Sequence, residues 1–180
     1  MKNIITLIST LLLSACVSFN NYDTRKCKPE IFPDYTDIDI PVNIAPLNFM
    51  MDGASCLMVE IEGREKWVFK SGGCQMRFPL RKWKKMLETE NNETLNVTVY
   101  AEISGVKYRF SPFKWTVHAE KIDSYISYRL IEPAYEVWNV LSIEERSTEK
   151  FNSRNIANNA ITGHSCMNCH TSNRAQVPAT

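Results

Sequence analysis

The sequence predicts a mainly β protein: an antiparallel immunoglobulin-like sandwich with one short helix and a separate C-terminal segment. Three observations carry that expectation. Hydrophobicity alternates with period two through much of residues 31–135, turn residues punctuate the alternation, and a dense cysteine–histidine run stands alone near the end. Alternation at period two buries one face of a pleated strand. Short strands separated by turns about every eight to twelve residues suit two packed antiparallel sheets.

The first fifteen residues belong to export rather than to the fold. Lys2 supplies a positive charge ahead of the apolar run from Ile4 to Leu13, which is too short to span a bilayer but suits a secretory signal. Leu13-Ser14-Ala15-Cys16 resembles the lipobox of bacterial lipoproteins. The resemblance implies cleavage before Cys16, lipid on its thiol, and a protein anchored to a membrane of the bacterial envelope, facing the periplasm. An ordinary signal with an incidental cysteine is the weaker alternative, because small residues directly precede Cys16 and no A-x-A site follows. Residues 16–30 are polar and read as a tether between the lipid and the fold.

The body spans residues 31–135. Cys56 to Ile61 and Lys66 to Phe69 flank Glu62-Gly63-Arg64-Glu65 as one hairpin. Leu95, Val97, Val99, Ala101 and Ile103 alternate with polar neighbours. Ser104-Gly105 turns the chain, and Val106, Tyr108 and Phe110 carry the alternation back. Phe113, Trp115, Val117 and Ala119 alternate next, then Ile126, Tyr128 and Leu130. One helix interrupts the strands, with Leu80, Trp83 and Leu87 on its apolar face and Arg81, Lys82, Lys84 and Lys85 opposite. That basic face reads as a solvated helix surface in preference to a contact with anionic lipid. From Pro133 to Arg146 a helix carrying Trp138 and Leu141 and an extended strand or arm fit equally, and residues 136–163 are taken as a connecting arm.

A chain of 180 residues with 44% hydrophobic and 11% aromatic residues holds one domain and a substantial core once signal and tether are removed. The formal charge of +1 falls to near zero without Lys2, which excludes the strongly basic surface that nucleic acid requires. No Ser-His-Asp set, paired carboxylates or phosphate-binding glycine loop stands out, so an electron carrier or binding module is expected ahead of an enzyme. Asn92-Glu93-Thr94 and Asn96-Val97-Thr98 match the N-glycosylation pattern, a reading the bacterial lipoprotein signal disfavours.

The run Cys166-Met167-Asn168-Cys169-His170 carries the chemistry. Each thiol can add across one porphyrin vinyl group, and the adjacent imidazole is then held under the iron as its proximal ligand. Residues 164–180 therefore form a haem-attachment segment for one covalent haem c, with Cys166 and Cys169 as attachment points and His170 as the metal ligand. A redox dithiol, or a zinc site completed by His164 or His170, is the weaker alternative in an exported chain. The distal ligand stays open. His164 lies on the proximal side, Met167 is inside the loop, and Met50, Met51, Met58, Met76 and Met86 read foremost as core filling. His118 falls at a polar position and reads as a surface histidine. Cys27, Cys56 and Cys74 remain; either Cys56 and Cys74 pair or all three are reduced.

Three stretches carry a family resemblance. They are Phe32-Pro33-Asp34-Tyr35-Thr36-Asp37 with Ile40-Pro41-Val42-Asn43-Ile44-Ala45-Pro46-Leu47-Asn48-Phe49, then Tyr128-Arg129-Leu130-Ile131-Glu132-Pro133, and the Cys166 to His170 run. Together they resemble the N-terminal region of large envelope lipoproteins, in which a β-rich domain and a single Cys-x-x-Cys-His motif precede a TolB-like β-propeller. This chain stops where the propeller would begin. The resemblance implies a haem protein of the envelope, with electron transfer to an envelope partner as the leading expectation. A binding or assembly module whose haem is structural or sensory is the second.

Overall fold

The computed structural model describes residues 21–131 and 141–163. Cys16, Cys166, Cys169 and His170 lie outside the described residues, as do His164 and Trp138. The protein is mainly β, with one α-helix among the described residues and sheets that stay open rather than closing into a barrel.

The main sheet contains β1 (Asp23–Thr24), β2 (Ile38–Pro41), β4 (Ala54–Glu62), β5 (Lys66–Ser71), β7 (Thr94–Ile103), β8 (Val106–Arg109) and β9 (Phe113–His118). A small ribbon of β3 (Phe49–Met50) and β6 (Gln75–Met76) and the helix α1 (Leu80–Thr89) belong to the same body. β7 is its axis. Leu95, Val97, Val99 and Ala101 are fully buried on its inner face, as the alternation requires. At Ser104 and Gly105 φ turns positive (+52° and +78°), the two-residue hairpin geometry whose twist matches the flanking strands.

β8 and β9 are one return strand. Tyr100 pairs with Arg109 and Val97 with Phe113, so the return strand carries one residue more than β7 between these pairs. That extra residue is a bulge at the Phe110–Pro112 bend. Outside it, β1 pairs in parallel with β8 and β2 in parallel with β9. The expected tether of residues 16–30 is thus corrected over its second half. Asp23 and Thr24 lie in the sheet, Arg25 donates its amide to the Arg109 carbonyl at 2.8 Å, and Ser111 donates to the Cys27 carbonyl at 2.9 Å. The physical reason is the unpaired edge of the return strand, whose amides and carbonyls need partners.

α1 crosses between β5 and β7, which lie on either side of β4, and covers the inner face of the sheet. Its buried residues are Trp83, Met86 and Leu87. Leu80 was expected on that face but is 37% exposed, because it occupies the first helical position next to Pro79. Phe78, Trp83 and Trp115 meet with ring centroids 5.0–6.2 Å apart. Both indoles satisfy their N–H groups, on the carbonyls of Ile44 (3.0 Å) and Tyr35 (2.7 Å). On the opposite helix face Lys82 bonds the Val68 carbonyl and Lys84 pairs with Glu149. Two of the four cations are therefore engaged within the fold.

A second, three-stranded sheet follows: β10 (Tyr125–Ile131), β11 (Leu141–Ser147) and β12 (Ser153–Asn158), all antiparallel. β11 and β12 occupy much of what the sequence offers as a connecting arm, so the body does not end at residue 135. Nor is the alternation of β10 buried: Ile126 and Leu130 are each 53% exposed. Their partner strands read Leu-Ser-Ile-Glu-Glu-Arg-Ser and Ser-Arg-Asn-Ile-Ala-Asn, which offer little apolar surface to bury against.

Glu149 seats this sheet on the body. Its carboxylate accepts from Lys84 (2.8 Å), Ser124 (3.2 Å) and Asn43 (3.3 Å), while Ala45 donates to the Thr148 carbonyl. The Lys84 ammonium, then the Asn43 amide, hold this carboxyl below its usual range. Glu149→Ala is expected to cost about 1–2 kcal/mol. Hydrogen exchange in residues 141–158 should quicken more than in β4 or β7; equal change throughout would contradict this seating.

Candidate functional site

The described residues end in a capped turn ahead of the Cys166 to His170 run. Asn158 accepts the Ala160 amide at 3.0 Å on its side chain, opening a 3-10 turn, Asn159–Thr162. Gly163 closes it in the left-handed region (φ +64°), its amide bonded to the Ala160 carbonyl. Asn159 is buried and accepts the Leu141 amide at 3.3 Å. Cys166 follows Gly163 by three positions and lies outside the described residues. The turn leaves from the end of the second sheet where Leu130 pairs with Ser142 and Ser142 with Asn158.

The tether joins the return strand at Tyr108 and Arg109, whereas the chain leaves toward the second sheet beyond His118. At the tether end Tyr22 stacks edge-on to Tyr100, with centroids 5.2 Å apart, and the Arg25 guanidinium lies 4.1 Å from the Tyr108 ring centroid.

Apolar exposure is concentrated on and around the second sheet. Twelve large hydrophobic residues are exposed among the described residues, and eight of them fall between Ile122 and Ile161. In the second sheet Ile126, Leu130 and Ile156 are about half exposed, while Leu141 is fully buried. Sequence reasoning did not identify this surface. Its signal is the apolar alternation of β10 set against polar β11 and β12.

Four of the body's methionines are buried as core filling. Met76 and Met86 are fully enclosed, Met51 lies in the same core, and Met58 packs with Cys56, Tyr100 and Val68 on the outer face. His118 is exposed as expected, 3.5 Å from Asp39. Cys27, Cys56 and Cys74 are free thiols. Cys56 belongs to the outer-face cluster while Cys74 packs against the inner core, which puts them on opposite sides. Burial, then the Glu102 carboxylate, pushes the Cys56 thiol pKa up, which keeps it unreactive. Among the described residues no group of three or more His, Cys, Asp or Glu side chains is placed to hold a metal, and no helix is long and apolar enough to cross a membrane. An open cleft of about 320 Å³ at Ser71–Gly73 and Cys74–Arg77 contains no carboxylate or imidazole.

The donor set of residues 166–170 fits haem c by its chemistry: two thiols at the vinyl spacing and one imidazole. Compared with protein-family models, curated proteins and solved structures, the chain matches none of them.

Proposed function

We propose that this chain is a lipid-anchored, single-haem c-type cytochrome of a bacterial envelope that passes electrons between envelope partners. The observation that carries the reading is the Cys166-Met167-Asn168-Cys169-His170 run in a chain that begins with an export signal ending at Cys16. Haem c, when bound, supplies one-electron exchange at its iron. Cys166 and Cys169 hold the porphyrin by thioethers, and His170 supplies the proximal nitrogen. Covalent retention suits a cofactor used outside the cytoplasm.

The short link from Cys16 to the first strand supports the anchor. Seven residues join Cys16 to Asp23, so an anchored lipid holds the β1–β8 edge within about 25 Å of the bilayer. The immunoglobulin-like sandwich expected for the body is kept as part of the proposal, supported by the inward alternation of β7 and the open sheet edges. A reduced-minus-oxidised spectrum of the matured protein tests it: c-type bands are expected, and their absence would remove the electron-transfer reading.

The anchor has its own test. Cys16→Ser is expected to move the protein from the membrane fraction to the soluble fraction, as single or absent acylation does not hold a protein on a bilayer. Unchanged membrane recovery after a salt wash would rule out lipid on Cys16.

A second reading is favoured by the exposed apolar row of β10. The domain is then a binding or assembly module whose haem is structural or sensory, in keeping with the resemblance to propeller-bearing lipoproteins. Failure to exchange electrons with small redox mediators, together with a specific envelope partner, would select it.

A further inference from the structure

We propose that residues 22–27 form a strap that peels from the edge of the main sheet as a unit and lends its length to the tether. The peeling stands on the contacts of the sheet edge alone. Its use as tether length rests on the reading of Cys16 as the lipid anchor.

Two segments line the outer edge of the return strand, and they are held differently. β1 pairs in parallel with β8, and β2 in parallel with β9. β2 spans four residues and sends Ile40 into the core, where it is 2% exposed. β1 spans two residues, and both are exposed. Every residue from 21 to 28 is exposed, and the first buried ones beyond them are Pro29 and Ile31. Apolar burial therefore fixes β2 and roots the chain at Pro29 and Ile31, but contributes little to the strap.

Among the described residues, edge contacts supply the hold. Besides the β1–β8 pairing, the Arg25 amide donates to the Arg109 carbonyl (2.8 Å), the Ser111 amide to the Cys27 carbonyl (2.9 Å) and Ser111 Oγ to the Arg25 carbonyl (3.4 Å). The rings of Tyr22 and Tyr100 meet edge-on, and the Arg25 guanidinium covers the Tyr108 ring. Exposed backbone hydrogen bonds with little apolar burial mark the segments that open without the rest of the fold. Peeling bares Tyr100, whose hydroxyl stays bonded to Glu60 at 3.0 Å. It stops at Lys28, which pairs with one oxygen of Asp37 while the other accepts the Lys114 amide at 2.8 Å. Docked, the chain from Cys16 meets the sheet at Asp23 and reaches about 25 Å; peeled to Lys28, it reaches about 40 Å. The strap thus sets the shorter of two heights for the body above the bilayer.

Residue-resolved amide exchange on the full-length protein in detergent micelles tests the strap, and two neighbouring residues supply the comparison. The Phe110 amide donates inward to the Val99 carbonyl (3.0 Å), while the Ser111 amide donates outward to the strap. Peeling predicts similar protection at Arg25 and Ser111, roughly tenfold or more below that of Phe110. Tyr22→Ala should quicken exchange at Arg25 and Ser111 by roughly threefold to tenfold, the worth of one aromatic pair, and leave Phe110 unchanged. Equal protection at all three residues, lost together in denaturant, would show that the strap opens only with the fold and would overturn the proposal. On phosphatidylcholine vesicles carrying the lipidated protein, trypsin should cut after Arg25 and release the body, faster in Tyr22→Ala. Resistance of Arg25 in both forms would overturn peeling on the membrane. Protein that fails to stay with the vesicles before trypsin would overturn the anchor and the use as tether length, while exchange still decides the strap.

Discussion

Glu90→Ala is expected to lower the stability of the protein by about 3 kcal/mol, a fall in Tm near 10 °C. Glu90 closes α1 and is fully buried. Its carboxylate accepts the Arg64 amide (2.7 Å), the Glu65 amide (3.0 Å) and the Trp67 indole N–H (2.9 Å). Truncation strands three donors in the β4–β5 turn, and an unpaired buried donor costs more than the bond contributed. Glu90→Gln keeps one acceptor and should cost less. Gly63 lies on the other side of the same contact. A methyl there would come within 2.3 Å of Glu90 Oε2 and 2.5 Å of Leu95 Cδ2, so Gly63→Ala should cost about 2 kcal/mol. Because Glu90→Ala vacates that space, the double variant should lose less than the sum. Thermal and urea unfolding followed by far-ultraviolet circular dichroism measures all four proteins. Additive losses would contradict a shared contact.

The same carboxylate sets a pH dependence. Burial pushes its pKa up, but the Trp67 indole and the Arg64 and Glu65 amides outweigh that and leave it below the ordinary glutamate value of 4.5. A carboxyl with a depressed folded pKa contributes stability that is present above the unfolded value and lost as pH falls through the folded one. Wild type should therefore lose stability below about pH 4.5 more steeply than Glu90→Gln. Parallel acid limbs would remove Glu90 from this role.

Replacing Cys166 and Cys169 together with alanine is expected to abolish covalent haem. Each thiol makes one thioether, so either single variant should retain a porphyrin through the remaining bond, in reduced yield. His170→Ala keeps both thioethers but removes the proximal nitrogen. It should retain haem that survives denaturing electrophoresis while its spectrum departs from that of wild type. Haem staining after denaturing electrophoresis, read beside the visible spectrum, separates attachment from ligation. Equal staining of the double variant and wild type would show that these sulfurs do not carry the group.

Where local signals coincided, the fold was legible. β7 and β8 alternate on both sides of Ser104-Gly105, and the structure puts both turn residues at positive φ. The β4–β5 hairpin followed from the same logic, with Glu62 paired to Lys66 across Gly63. The edge strands β1 and β2 were not legible, because Asp23 and Thr24 have no apolar pattern and owe their conformation to a return strand over 80 residues away. Met86 displaced Leu80 from the helix face for an end effect that periodicity alone does not encode. In β10 the alternation was visible, but whether its apolar face is covered depends on partners supplied by β11 and β12. Glu90 had no sequence signal, since one acid among 20 Asp and Glu does not announce its burial. The Cys166 to His170 run is the opposite case, an expectation from sequence that lies outside the described residues. Five consecutive residues contain the thiols and the imidazole, so the motif needs no tertiary information, whereas its cover does.

The mass of the intact protein after expression in a cytochrome-maturing host tests the central claim most directly. The account predicts a gain of one porphyrin that persists on denaturation and vanishes in C166A/C169A. Wild-type polypeptide of bare sequence mass, purified from a host that matures a control cytochrome in the same cells, would contradict it.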